Sequence, residues 1–141
     1  MSYLLDTNVV SEWTRPRPNS GVVAFLESHP EDEFFLSVIT LAELRRGIER
    51  LAPGRRRTLL NNWLLSDLTE RFADRLLGID TATADSWGRL IAQRERAGRP
   101  MSAMDGWIAA SAVVHGLVLV TRNTVDFHHT VARVLDPWHA E

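Results

Sequence analysis

The chain has 141 residues, of which 45% are hydrophobic, and a formal net charge of -2. This length and apolar content suit one domain with its own core, so we expect residues 1–141 to form a single domain. All sixteen basic residues are arginine, and lysine and cysteine are both absent, which disfavours Walker-type phosphate loops, Schiff-base catalysis, thiolate chemistry and disulfides.

The first part of the chain alternates short apolar runs with helical patterns. Tyr3–Leu5 predicts a strand, and a helix follows it with Thr7 or Asn8 as the predicted N-cap. Residues 19–29 predict a second short helix. Phe34–Ser37 is an apolar run bounded by charge, as expected of a buried strand.

The middle of the chain is mostly helical. A helix with Thr40 as N-cap carries leucine and isoleucine at helical spacing, and the helical pattern resumes over residues 54–70. Leu76–Ile79 predicts a weak strand. Thr81 is the predicted N-cap of the next helix, which Gly98 ends.

The last part of the chain contains the clearest strand. A helix is predicted from Ser102 to about His115, then the apolar strand Leu117–Thr121, and finally a short strand over Val131–Leu135. Strands alternating with helices indicate an α/β fold with an open, mostly parallel sheet covered on both faces. Because no run approaches the ~20 apolar residues of a membrane span, we expect a cytoplasmic protein.

Four acidic residues fall at the carboxyl edge of this predicted sheet. Asp6 ends the first strand, Glu43 lies in the first turn of the helix after the second strand, and Asp126 follows the strand that ends at Thr121. Asp105 begins the helix that leads into that same strand, so it starts at the same edge. The topology therefore predicts that the four carboxylates converge.

Converging carboxylates repel one another unless a cation neutralises them. Oxygen ligands favour Mg²⁺ or Mn²⁺, which are typically held by one or two carboxylates together with substrate phosphate. The predicted chemistry is metal-assisted hydrolysis of a phosphodiester bond.

Each acid also has a structural interpretation. Glu43 completes a capping box, Asp105 complements a helix dipole, and Asp126 follows Asn123 at a position where it could cap a turn. Asp6 is the hardest to explain structurally, because an acid directly after a buried strand loses hydration unless it is paired.

The site segments in chain order are Leu4–Asn8, Thr40–Leu44, Met104–Ala110 and Thr121–Phe127. Together they resemble the successive motifs of PIN domains, and of the VapC and FitB toxin group in particular. The resemblance covers essentially the whole chain. It implies a five-stranded parallel sheet of order 3-2-1-4-5, Mg²⁺ or Mn²⁺ as cofactor, and an endoribonuclease that leaves a 5′-phosphate, with transfer RNAs among the candidate substrates.

The resemblance also implies roles for individual residues. The core acids are Asp6, Glu43 and Asp105, with Asp6 and Asp105 binding the principal metal, and Asp126 is the fourth acid. Polar supports are Thr7, Thr121 and Asn123. Because relatives can carry an acid where Asn123 stands, the last ligand position stays open between Asn123 and Asp126.

Several arginines are candidate RNA contacts, since the guanidinium group pairs with phosphate. Arg122 lies within a site segment, whereas Arg46 and Arg50 belong either to an RNA-binding surface or to a solvated helix face paired with acids. Trp87 and Trp107 are expected in the core. The adjacent histidines at 128 and 129 are expected at the surface.

The resemblance implies three kinds of partner: an RNA substrate, a cognate antitoxin, and a second copy of the chain in a homodimer and in toxin–antitoxin hetero-oligomers. Alternative hypotheses are a housekeeping RNA-processing nuclease, a PIN module that binds RNA or protein without cleaving, and a phosphatase acting on small phosphoesters. Toxin status rests on family analogy alone.

Overall fold

A computed structural model describes residues 1–131 and 133–139 of the chain. Its centre is a five-stranded sheet in which every pairing is parallel and the strand order is β3-β2-β1-β4-β5, as the resemblance implied. The strands are β1 (Tyr3–Leu5), β2 (Phe34–Ser37), β3 (Leu76–Leu77), β4 (Val118–Val120) and β5 (Val134–Leu135).

Helices connect the strands and cover both faces of the sheet. They are α1 (Thr7–Ser11), α2 (Ser20–Glu27), α3 (Val38–Glu49), α4 (Arg55–Asn62), α5 (Thr69–Arg71), α6 (Thr81–Arg96) and α7 (Ala103–His115). A π-helical segment over Trp63–Leu68 joins α4 to α5, so residues 55–71 are continuously helical. No helix in the described residues is both long and apolar enough to span a membrane.

The central strand β1 divides the core in two, because successive side chains of a strand point to opposite faces. Tyr3 and Leu5 pack in one cluster with residues of α1, α2 and the 55–71 stretch. Leu4 packs in the other cluster, with apolar residues of α6 and α7. β1 is buried throughout, which explains why its sequence is continuously apolar rather than alternating.

Three helices begin earlier than the sequence analysis predicted. The N-cap of α1 is Asp6 rather than Thr7 or Asn8, that of α3 is Ser37 rather than Thr40, and that of α6 is Asp80 rather than Thr81. In each case the cap has extended backbone and a side-chain oxygen that accepts a backbone N–H of the first turn.

Three predicted strands are shorter in the structure. The strand predicted over Leu117–Thr121 forms at Val118–Val120. The weak strand over Leu76–Ile79 is reduced to Leu76–Leu77, and the last strand, predicted over Val131–Leu135, forms only at Val134–Leu135. Ala132, inside that prediction, lies outside the described residues. The end of α7 matches its prediction, because Gly116 adopts the left-handed conformation (φ 63°) that ends helices.

Candidate metal and nucleic-acid site

The four predicted acids lie on four segments around the carboxyl ends of β1, β2 and β4. Asp6 directly follows β1, and Asp105 lies in the first turn of α7. Asp126 lies in a 3₁₀ turn, Thr124–Phe127, after β4. Glu43 is in the second turn of α3, not in the first, because α3 begins at Val38.

Asp6 is the buried member of the group, with 6% of its surface exposed. Its Oδ1 accepts a hydrogen bond from the backbone N–H of Thr7 at 2.8 Å, and its Oδ2 accepts one from the Thr121 hydroxyl at 2.7 Å. Burial raises the pKa of Asp6 to about 6 against these hydrogen bonds, which lower it. An ionised Asp6 is therefore unfavourable in this position unless a positive charge joins it.

The negative charges of the other acids raise the pKa values of Asp6 and Asp105. After burial, the charges of Glu43 and Asp105 also raise the pKa of Asp6. The pKa of Asp105 is raised by burial, lowered by a hydrogen bond with Ser102, and raised again by the charge of Asp126. The series Glu43, Asp6, Asp105 and Asp126 is referred to below as the acidic cluster.

Glu43 is oriented by residues from a neighbouring element. The Thr7 hydroxyl donates to Glu43 Oε1 at 2.6 Å and lies 3.3 Å from the Thr40 hydroxyl. The capping-box interpretation of Glu43 is wrong, since Ser37 caps α3 and Thr40 is buried inside the helix. The carboxylate therefore faces α1 rather than its own helix terminus.

Asp105 has the helix-start role that the sequence suggested, whereas the Asp126 side chain caps no turn within the described residues. Ser102 caps α7 by accepting the backbone N–H of Asp105 at 3.1 Å, so Asp105 does take part in a helix start. The turn containing Asp126 is closed by its backbone N–H, which donates to the Asn123 carbonyl at 3.1 Å. Within residues 1–131 and 133–139, no hydrogen bond involves the Asp126 carboxylate.

The buried Thr121 and the half-buried Asn8 form a polar support for Asp6. The Thr121 hydroxyl accepts hydrogen bonds from Asn8 Nδ2 at 3.2 Å and from the backbone N–H of Asn123 at 3.1 Å, while it donates to Asp6. Asn8 Oδ1 accepts the backbone N–H of Arg122. The sequence analysis considered Asn8 only as a helix cap; its position two residues after Asp6 in a site segment was the available signal.

The donor set fits a hard divalent cation, because its carboxylate, hydroxyl and amide groups offer oxygen ligands. Among the described residues, no basic side chain forms an ion pair with Asp6. Within residues 1–131 and 133–139, no group of three or more histidine, cysteine, aspartate or glutamate side chains is close enough together to hold a metal ion, so the four acids share an edge without forming a preassembled ligand set. Mg²⁺ commonly binds through one or two carboxylates and retains water, so an open arrangement suits it.

The arginines proposed as RNA contacts differ in their surroundings. Arg46 and Arg50 are exposed near the end of α3. Arg122 is also exposed, and its guanidinium lies over the ring of Trp138 at 5.3 Å. By contrast, Arg57 pairs with Glu49 at 3.0 Å, so part of the basic region near α3 is a solvated, ion-paired face.

Two tryptophans expected in the core are only half-buried. Trp87 of α6 and Trp107 of α7 stack on each other with ring centroids 4.7 Å apart, and Trp87 Nε1 donates to the Ala103 carbonyl. They stabilise the contact between the two helices from its outer side. His128 and His129 are exposed, as predicted.

Glu12 is a buried acid that the sequence analysis did not single out. It accepts the backbone N–H of Asn19 at 2.8 Å and pairs with Arg15 at 2.9 Å. These contacts fix the turn between α1 and α2, so Glu12 serves the fold.

Comparison with known proteins places this arrangement in a family. The family model described as "PIN domain" matches residues 3–132. The Toxin FitB of Neisseria gonorrhoeae is 40% identical over 136 residues, covering 96% of this chain and 98% of the relative. A protein of Sinorhizobium fredii named as a VapC ribonuclease is 36% identical over 135 residues, with 96% of both chains covered.

Solved structures agree with the sequence relatives. A chain in the structure of FitAB bound to a DNA fragment superposes with a TM-score of 0.91 at 37% identity, covering 99% of this chain and 97% of that one. A chain in a toxin-antitoxin complex from Klebsiella pneumoniae superposes with a TM-score of 0.68 at 26% identity, with 96% and 98% covered. The chain belongs to the PIN-domain family, and within it to the group that contains the FitB and VapC toxins.

Proposed function

We propose that this chain is the ribonuclease toxin of a toxin–antitoxin pair, of the VapC type, and that the acidic cluster hydrolyses phosphodiester bonds in RNA with Mg²⁺ or Mn²⁺. The observation that carries the proposal is the buried Asp6, whose negative charge is unfavourable in isolation, at the head of a series of acids on one sheet edge. The ribonuclease and toxin names of the relatives supply the reaction class.

Asp6 and Asp105 are the residues proposed to hold the principal cation, and Glu43 and Asp126 complete its surroundings. When bound, a divalent cation activates water for attack on phosphorus and neutralises charge on the phosphate. Thr121 and Thr7 hold the carboxylates of Asp6 and Glu43 in fixed orientations through their hydroxyl groups. Asn123 is proposed to orient water or phosphate, since its backbone N–H donates to the Thr121 hydroxyl and its side chain is exposed.

The proposed partners are an RNA substrate, a cognate antitoxin and a second copy of the chain. Support for the antitoxin comes from the superposition on a chain of a toxin-antitoxin complex. Neutralisation by a basic side chain entering the acidic cluster would satisfy Asp6 as a cation does.

The ribonuclease proposal is tested by incubating antitoxin-free protein with a panel of transfer RNAs and other structured RNAs, with Mg²⁺, with Mn²⁺ or with chelator. We expect metal-dependent cleavage that Asp6→Asn and Asp105→Asn abolish. The matched control is Asp67→Asn, which makes the same chemical change at an exposed carboxylate outside the acidic cluster and should retain full activity. Equal cleavage by all variants would indicate a contaminating nuclease.

Other outcomes identify the alternatives. RNA binding without cleavage by any form would support a non-cleaving module, and hydrolysis of model phosphoesters without RNA cleavage would support a phosphatase. To distinguish a toxin from a housekeeping nuclease, the chain is expressed alone and together with the product of its neighbouring gene. A toxin arrests growth only when alone, and its Asp105→Asn variant does not.

A further inference from the structure

A cleft of about 670 Å³ adjoins the acidic cluster on the side of Asp126. One wall is the carboxyl end of α6 and the turn after it, with Arg94 and Arg99. The other wall is the segment after the 3₁₀ turn, with His128 and His129. Its volume is within the roughly 300–1,000 Å³ of ligand-binding clefts.

Arg94 connects the two walls. Its Nε donates to the Arg99 carbonyl at 2.7 Å, and its Nη1 donates to the His128 carbonyl at 3.1 Å. The backbone N–H of Arg99 donates in return to the Arg94 carbonyl at 2.9 Å. The bond to His128 joins the two walls, and the two bonds between Arg94 and Arg99 hold the Arg94 side chain and the turn after α6 in place.

The walls carry positive charge and hydrogen-bond donors. Among the described residues, neither Arg94 nor Arg99 forms an ion pair, and the carbonyl partners of Arg94 leave its charge uncompensated. Arg99 and His128 are exposed. His129 adopts a left-handed backbone (φ 64°), which is uncommon for a residue with a side chain and clusters at functional sites.

We propose that this cleft binds phosphate groups of the RNA strand that flank the bond being cleaved, with Arg99 and His128 as contact residues and Arg94 as a positioning residue. The inference rests on the proposed ribonuclease function and extends it to named substrate contacts. The argument for RNA comes from Asp126, which lines the cleft and also lies after β4, at the sheet edge that carries Asp6 and Asp105. A strand whose reacting phosphate lies at the acidic cluster therefore continues directly into the cationic cleft.

Binding is measured by fluorescence anisotropy of a labelled single-stranded RNA on the Asp6→Asn protein, so that cleavage does not interfere. Adding Arg99→Gln or His128→Gln should weaken binding about 3- to 10-fold, and Arg99→Gln, which removes a permanent charge, should also lower the slope of log Kd against log salt by about 0.7. Arg99→Lys, which keeps the charge, should recover most of the affinity. Arg133→Gln is the matched control, because Arg133 is exposed at the opposite end of the sheet, beside Met1, and it should leave both quantities unchanged.

Kinetics on the otherwise wild-type protein separate binding from chemistry. Arg99→Gln and His128→Gln should raise KM with kcat changed by less than about 3-fold, since they remove contacts made equally in ground and transition states. Arg94→Gln should raise KM as well, and Arg94→Lys should not rescue it, because an ammonium group cannot bridge both carbonyl groups.

Failure of this inference is distinguishable from failure of the proposed function. If the wild type cleaves RNA while the cleft variants keep wild-type KM, affinity and salt slope, the cleft is not an RNA site. If the variants lose capture of the antitoxin and keep RNA affinity, the cleft is a protein-binding surface, which also overturns the inference. If the wild type cleaves no RNA, the proposed function itself fails.

Discussion

Asp6 has two roles at one position. Its carboxylate caps α1 by accepting the Thr7 N–H, and the same carboxylate is the most buried member of the acidic cluster. The hydrogen bonds from Thr7 and Thr121 only partly offset its lost hydration, since its pKa is about 6 against an ordinary value of 3.8. The site is therefore built at the expense of the stability of the metal-free fold.

This leads to a prediction for stability against pH. Because the pKa of Asp6 is raised in the folded state, its stabilising contribution is present below pH 3.8 and is lost as pH rises through about 6. Relative to Asp6→Asn, the metal-free wild type should lose about 2–3 kcal/mol of unfolding free energy between about pH 4 and pH 7. Urea denaturation of both proteins across this range measures the difference.

Metal addition provides the control for that prediction. At neutral pH, Mn²⁺ should raise the Tm of the wild type and leave that of Asp6→Asn nearly unchanged, because binding to the folded state alone stabilises it. A pH-independent difference between the two proteins would contradict the raised pKa.

A second prediction concerns Thr121, whose buried hydroxyl donates to Asp6 and accepts from Asn8 and Asn123. Thr121→Val keeps the shape and removes all three bonds, so we expect a loss of about 1–3 kcal/mol in unfolding free energy. Thr121→Ser keeps the hydroxyl and should lose less than the valine variant. Equal stability of the valine variant and the wild type would show that the network contributes nothing.

At the scale of elements, the apolar runs predicted the strands correctly, whereas the predicted starts of three helices were wrong. Every strand was found where a short apolar run predicted it, because both faces of a parallel sheet are buried. The predicted caps of α1 (Thr7 or Asn8), α3 (Thr40) and α6 (Thr81) lie inside the helices. The true caps lie one to three residues earlier, and their identity depends on the extended backbone at that residue, which spacing alone does not specify.

The contact between α6 and α7 depends on a glycine. A Cβ at Gly106 would lie 2.7 Å from Ile91 Cδ1 and 2.9 Å from Trp87 Nε1. The Ile91 terminus can move, whereas the Trp87 ring is held by its stack on Trp107 and its bond to the Ala103 carbonyl. The tryptophans were expected in the core; this close helix approach places them at its edge instead.

A pair of alanine substitutions tests this contact. Gly106→Ala should destabilise by about 1–2 kcal/mol, since overpacking outweighs the gain in helix propensity. Gly88 lies on the exposed side of α6, and a Cβ added there would meet no neighbouring atom of the described residues within 4 Å. Gly88→Ala should therefore raise the unfolding free energy by about 0.5–1 kcal/mol through helix propensity alone. Chemical denaturation should therefore give opposite signs for the same chemical change.

At the scale of the whole molecule, topology explains why the shared sheet edge of the four acids could be predicted and the cleft beside Arg94 could not. Asp6, Glu43, Asp105 and Asp126 are tied to the ends of parallel strands and their return helices, and those ends share one edge. Arg94 instead reaches carbonyl groups of two loops, and loop conformation is not encoded by hydrophobic periodicity.

The most direct test of the central claim is the single-turnover rate of RNA cleavage as a function of Mn²⁺ concentration, for the chelator-treated wild type and for Asp105→Asn. The account predicts no cleavage without metal, a wild-type rate that rises with Mn²⁺ and saturates, and a variant that reaches less than about one hundredth of that rate. Cleavage by the metal-free wild type, or the same Mn²⁺ curve for Asp105→Asn, would contradict the assignment of the acidic cluster as a metal-dependent ribonuclease centre.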